Sequence, residues 1–206
     1  MKDNQALIVV DVQKDFLETG ALPVKEGSQV VPVINRIIPK FKNVVFTQDW
    51  HPQGHISFAS SHPGIAPYST IDVSYGKQVL WPEHCVQNTS GAEFAEGLNT
   101  ENGDCFVKKG AHSDIDSYSA FLEADRKTKT DLGVWLRSQG FTEVFVCGLA
   151  TDFCVSWTAL DAADEGLRVS VIEDASRGID VNGSLEGARA AWKKRGIKRI
   201  DSSEIN

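Results

Sequence analysis

Residues 144–172 read VFVCGLATDFCVSWTALDAADEGLRVSVI. A β-branched apolar run, Val144–Leu149, gives way to Asp152–Glu165, where Ala, Leu and Val recur at helical spacing. Gly166 ends that segment, and a second apolar run, Val169–Ile172, follows. The order is strand, helix, strand. Two neighbouring strands joined by a helical crossover run parallel. Neither run alternates cleanly with polar residues, which suits a sheet buried on both faces.

The same rhythm extends outward from this unit. Ala6–Val10, Val44–Thr47 and Cys105–Val107 are further strand runs, and Lys198–Ile200 is a weak last one. Between them, Val30–Phe41 places Val30, Val33, Ile34, Ile37 and Ile38 at helical spacing. Asp131–Ser138 puts Leu132, Trp135 and Leu136 on one face before the stop at Gly140. Ser184–Lys194 is Ala-rich, with basic residues in its last turn, where they complement the helix dipole. The alternation predicts an α/β fold with a mainly parallel sheet. It breaks between His51 and Asp104, a stretch rich in Gly, Pro, Ser and His. Loops of that length inside a compact domain are usually functional. No repeat, low-complexity tract or linker divides the chain, so residues 1–206 read as one domain.

Composition excludes some partners. Of 206 residues, 41% are apolar and 24% charged, ordinary values for a soluble globular protein. The formal net charge of -7 argues against nucleic acid or an anionic membrane, since both need a basic face. No stretch approaches the roughly 20 apolar residues of a membrane-spanning helix. The N-terminal apolar run is short, meets Asp11 and lacks a cleavage site of small residues, so it reads as a strand rather than a signal peptide. A cytoplasmic location is the default expectation. Cys85, Cys105, Cys147 and Cys154 form no CxxC pair and are expected as free thiols. The oligomeric state stays open, a homo-oligomer included.

Ligands of open parallel sheets bind outside the carboxyl ends of the strands. The first strand run ends in Asp11, the second in Thr47-Gln48-Asp49-Trp50-His51, the third in Lys108-Lys109-Gly110, and the fourth runs on to Cys154. An acid, an acid–imidazole pair, an ammonium and a thiol therefore gather on one edge. Asp49 and His51, two residues apart in extended chain, point to the same side. With His84 from Trp81-Pro82-Glu83-His84-Cys85-Val86 they make a donor set that suits Zn²⁺, Fe²⁺ or Mn²⁺ and leaves positions open. The plain alternative is a chance DxH spacing in a polar loop. Cys154 falls in the first turn of a helix, where the dipole and free N–H groups favour a thiolate. Asp11 is a candidate base and Lys109 a compensating cation. On position alone, a packed helix residue is the leading reading of Cys154. GxSxG and GxGxxG are both absent, which disfavours a serine hydrolase elbow and a dinucleotide site.

These residues resemble the isochorismatase-like cysteine hydrolases, and within them the nicotinamidase/pyrazinamidase branch. The matching blocks are Val10-Asp11-Val12-Gln13-Lys14-Asp15-Phe16, Thr47-Gln48-Asp49-Trp50-His51-Pro52, Trp81-Pro82-Glu83-His84-Cys85-Val86, Lys109-Gly110 with Asp116-Ser117-Tyr118-Ser119-Ala120-Phe121, and Gly148-Leu149-Ala150-Thr151-Asp152-Phe153-Cys154-Val155. They keep the family's order and span nearly the whole chain. The resemblance implies a three-layer αβα sandwich with a parallel sheet of about six strands. It implies Asp11, Lys109 and Cys154 as the catalytic triad and Asp49, His51 and His84 as ligands of one divalent metal ion. Zinc is the first expectation, with iron or manganese as alternatives.

It further implies an oxyanion hole from the backbone N–H groups of Ala150 and Cys154, and a cis peptide before Ala150. Phe16, Trp81 and Tyr118 would contact the substrate ring. The implied reaction is hydrolysis of nicotinamide to nicotinic acid and ammonia through a cysteine thioester, in NAD salvage, with pyrazinamide as a second substrate. Two features depart from the pattern. His55 lies where some relatives place a fourth ligand, but His55-Ile56-Ser57-Phe58 resembles the branch with a serine or water there, so His55 is left out and Ser57 is held as a weak candidate. Glu123–Thr130 is charged and reads as a solvated loop. The rival readings are a same-fold hydrolase of a carbamoyl or ureido substrate, and a non-catalytic pyridine-binding module.

Overall fold

A computed structural model describes residues 3–205. Its centre is a six-stranded sheet built from β1 (Gln5–Val10), β2 (Val44–Asp49), β5 (Cys105–Lys109), β6 (Glu143–Leu149), β7 (Arg168–Arg177) and β8 (Lys198–Ile200). The spatial order is β5-β2-β1-β6-β7-β8, and every adjacent pair runs parallel. The remaining strands, β3 (Thr70–Val73) and β4 (Gly76–Val79), form a separate antiparallel hairpin.

The alternation of side chains along the strands sorts the core into two layers. Leu7 and Val9 of β1 join Phe46, Cys147 and Leu149 against α1 (Val30–Ile37) on one face. Ala6, Ile8 and Val10 join Val45, Val144 and Val146 on the other. There they pack on α2 (Leu132–Ser138), α3 (Ser156–Asp164) and α4 (Ser184–Arg195), with Trp192 of α4 fully buried. The result is the expected αβα sandwich. β1 is buried at every residue because both its faces and both its edges are covered.

Strand order reverses at β1. From there the chain builds outward through β2 to β5, then returns to the other side of β1 with β6. The carboxyl ends of β1 and β6 therefore flank the switch point, where such sheets leave a crevice. Gly148 lets the two strands approach there: at φ +117°, an added Cβ would lie 2.1 Å from the Val10 carbonyl oxygen.

Three elements differ from expectation. The helix read over Val30–Phe41 ends as α-helix at Ile37 and continues as a 3₁₀ turn, Ile38–Lys40. Pro39 has no N–H to extend the ladder. The segment at Asp152 begins one residue earlier as a π-helical turn, Thr151–Val155, before α3 takes over. Glu123–Thr130 is not a plain solvated loop. Glu123 is buried against His112 Nδ1 at 2.9 Å, and Arg126 grips Asp161 with two hydrogen bonds of 2.9 and 2.6 Å. No described helix is long and apolar enough to cross a membrane.

Candidate active site

Asp49 and Lys109 are the last residues of neighbouring strands and face each other in register. Asp11 follows β1 directly, at φ +48°. It is held by Thr47, whose hydroxyl donates to Asp11 Oδ1 at 2.5 Å. Alternation decides which lysine enters the site. Lys108 turns outward and lies 3.5 Å over the Trp50 ring, while Lys109 turns inward and is fully buried. Its Nζ sits 2.8 Å from Asp11 Oδ2 and donates to Asp49 Oδ1. It also donates to the Ser117 carbonyl at 3.0 Å and the Cys154 sulfur at 3.3 Å. Cys154 arrives from the π turn after β6. The three sequence candidates thus meet around one ammonium. Asp11, Asp49 and Cys154 bring their polar atoms within 4.8 Å of one another.

This packing sets the protonation states. Burial works against charge on Lys109, but Asp11 and Asp49 outweigh it and hold the ammonium well above its ordinary range. Burial also acts against the Asp49 carboxylate, yet Lys109 and His51 hold that carboxyl well below its usual value. Asp11 goes the other way. Burial raises it, aided by the Asp49 charge and only partly offset by Lys109. Burial likewise pushes the Cys154 thiol well up, so it rests as a thiol. Asp11 Oδ2, despite the nearby ammonium, accepts no well-formed hydrogen bond from any described residue. Asp11, 2.8 Å from the Lys109 ammonium, thus lies beside the Cys154 thiol.

Beside this cluster, Asp49 Oδ2 lies 3.7 Å from His51 Nε2 and 3.8 Å from His84 Nε2. Each imidazole uses its other nitrogen on a carbonyl. His51 Nδ1 is 2.9 Å from the Gly110 oxygen and His84 Nδ1 is 2.8 Å from the Pro82 oxygen. A carbonyl only accepts, so both Nδ1 atoms carry a proton, and each Nε2 is the ring atom turned toward Asp49 and left for a cation. That is the arrangement in which metal-ligating histidines are held. The three residues fit a divalent cation by donor chemistry and by convergence, all within 4.8 Å.

Gly110 is essential to the fit. It sits at φ +63°, and a Cβ there would come within 2.4 Å of the His51 ring. His55 stacks on His51 at 4.3 Å, but both its nitrogens are engaged, with Ser57 Oγ at 2.7 Å and the Ile115 carbonyl at 3.1 Å. Burial and the neighbouring His51 push His55 down to about 4, so it is neutral. Ser57 is fully buried and spends its hydroxyl on His55.

A cavity opens beside this cluster. Cys154, Ala150, Asp49, His51 and His84 line it, and Phe16, Trp81 and Tyr118 form its aromatic walls. The Leu149–Ala150 peptide is cis. Sequence reasoning missed Phe153, which meets Trp81 edge-on at 4.9 Å, although it adjoins Cys154. It also missed Leu22, Ile179 and Asp116 as lining residues. Leu22 and Ile179 lie in irregular segments that carry no periodic signal.

Comparison with known proteins is consistent with this geometry. The Isochorismatase domain family model matches residues 5–202. A nicotinamidase of Acinetobacter baylyi is 50% identical over 203 residues, covering 98% of this chain and 95% of its own. A solved nicotinamidase/pyrazinamidase of Acinetobacter baumanii superposes with a TM-score of 0.99 at 50% identity, covering 100% of both chains. A pyrazinamidase of Pyrococcus horikoshii in complex with zinc superposes with a TM-score of 0.79 at 41% identity, covering 96% of this chain and 99% of that one.

Proposed function

The chain belongs to the isochorismatase family, and from that premise we propose that it hydrolyses nicotinamide to nicotinic acid and ammonia. The observation that carries the proposal is that Cys154, in contact with Lys109 and Asp11 behind it, shares one aromatic-walled cavity with Asp49, His51 and His84. Relatives named nicotinamidase share half of the sequence over nearly the full length.

Asp49, His51 and His84 would hold one divalent cation. Zn²⁺ is the proposed ion, on the donor set and on the zinc in the Pyrococcus horikoshii relative. When bound, it supplies a Lewis-acidic anchor for the pyridine nitrogen. Phe16, Trp81 and Tyr118 pack on the ring and leave the carboxamide at Cys154.

Asp11 takes the thiol proton while the Lys109 ammonium offsets the charge that forms on sulfur. The thiolate attacks the carboxamide carbon, and the backbone N–H groups of Ala150 and Cys154 receive the oxyanion. One such donor is worth about 3–4 kcal/mol in other hydrolases. Asp11 then gives its proton to the departing ammonia, leaving a thioester. Water attacks the thioester with Asp11 as base. Nicotinate leaves and the thiol is restored. Pyrazinamide, a ring amide of the same shape, is a second substrate, and the role is NAD salvage in the cytoplasm by one domain spanning residues 1–206.

The test is ammonia release from nicotinamide by wild type and Cys154→Ala side by side. Wild type releases ammonia and the variant does not. Turnover by Cys154→Ala above about a thousandth of wild type rules out the thioester route.

A further inference from the structure

The hairpin β3–β4 lies partly exposed along most of its length, yet Gln78 within it is 1% exposed. A buried amide must be satisfied, and this one is. Its Oε1 accepts from Tyr75 Oη at 2.9 Å. Its Nε2 donates to the Val79 carbonyl at 2.7 Å and to Asp116 Oδ2 at 2.6 Å, with Tyr118 Oη at 3.3 Å. Asp116 and Tyr118 line the cavity, whereas Gln78 does not. Tyr118 Oη also accepts from Trp81 Nε1 at 2.9 Å, and the Asp116 amide donates to Tyr75 Oη at 3.2 Å. One side-chain amide, on the strand that leads to Trp81, therefore ties that segment to the loop carrying both Asp116 and Tyr118. Among the described residues, no hydrogen bond runs from the hairpin to Asp11, Lys109 or Cys154.

We propose that Gln78 is a positioning residue for substrate: through Asp116 and Tyr118 it fixes the grip of the cavity on the ring without touching the reacting groups. The inference rests on the nicotinamide reading for the identity of the ring. Its consequence is a separation of kinetic constants, because a grip felt equally by substrate and transition state enters KM and leaves kcat alone.

Gln78→Leu keeps the volume and removes both the donor to Asp116 and the acceptor of Tyr75 Oη. It raises KM for nicotinamide about tenfold, the size of one lost hydrogen bond. The kcat and bound-metal content stay close to wild type, while the thermal midpoint falls by several degrees, because the Val79 carbonyl, Asp116 Oδ2 and Tyr75 Oη lose a buried partner. Gln78→Glu is worse, because it sets a carboxylate against Asp116 Oδ2. Combining Gln78→Glu with Asp116→Asn recreates one donor and one acceptor in reversed order and recovers most of the lost KM. A KM within twofold of wild type in Gln78→Leu overturns the inference. So does a fall in kcat that matches the rise in KM, with neither recovered in the double variant, which would make Gln78 purely structural. A wild-type chain that releases no ammonia from nicotinamide overturns the proposed function and this inference with it. An active wild type with an unmoved Gln78→Leu overturns this inference alone.

Discussion

Asp11, Asp49 and Lys109 are held in place by different means from Trp81, His84 and Gln78. The first group sits at the tips of β1, β2 and β5, where the parallel ladder fixes the backbone through neighbouring strands. The second comes from the stretch between β2 and β5, where a short hairpin, isolated backbone bridges such as Phe58–Trp81 and side-chain hydrogen bonds replace the continuous ladder. His51 joins the two regions. Its backbone pairs with Val86 in an isolated parallel bridge, and its N–H donates to the Cys85 carbonyl at 3.0 Å. Gln13 makes a second join, clamping Asp49 through its N–H at 2.8 Å and its carbonyl at 2.9 Å. Atoms that must meet within tenths of an ångström sit on the ladder, while those that shape the pocket hang on a network that single substitutions can retune.

If that division is right, tip variants lose turnover and pocket variants lose affinity. Lys109→Met is the hardest blow. It strands two buried carboxylates, and removing one partner of a buried pair costs about 3–5 kcal/mol. At about 2–4 °C per kcal/mol for a chain of this size, the midpoint falls by about 6–20 °C. Calorimetry and the ammonia assay should both show the loss, and a stable, active Lys109→Met would break the comparison. Gly110→Ala comes next, acting across the join. Its Cβ displaces the His51 ring, and metal affinity read by competition with a chelator drops about 10–100-fold.

A pH profile sharpens the tip side. Burial raises Asp11, so protons claim the base before they would claim an exposed carboxyl. The acid limb of kcat/KM on metal-saturated enzyme therefore lies above the ordinary Asp value of about 3.9. A limb at or below that value would remove Asp11 as base. The mildest case is Tyr118→Phe, which removes the acceptor of Trp81 Nε1. It raises KM about threefold to tenfold with kcat unchanged, the range of one hydrogen bond. A fall in kcat instead would place Tyr118 with the reacting groups.

The two regions also differ in how far they could be read from the chain. Tip residues announce themselves: an apolar run such as Leu7–Val10 stops at a charge, and parallel topology brings all such stops to one edge. Recognised motif blocks added His84, Trp81 and Tyr118. Gln78 had no such signal. Its hairpin, Thr70–Val79, lacks the dense β-branched run that marks the sheet strands, and its meaning lies in contacts with residues 38 and 40 positions away. The 3₁₀ end of α1 was legible in principle from Pro39, but hydrophobic spacing ran through it to Phe41. The charged stretch at Glu123 misled because its charges find partners, Arg126 on Asp161 and Glu123 on His112, only after folding.

β5, which carries Lys109, is the outermost strand on its side, bonded to β2 alone. Terminal strands fray first, and native-state amide exchange reports that opening. Peeling β5 away would drag a cation out from between Asp11 and Asp49, whereas β8 at the opposite rim carries no fully buried charge. The two rims should therefore differ in protection, with deuterium entering β8 well before β5.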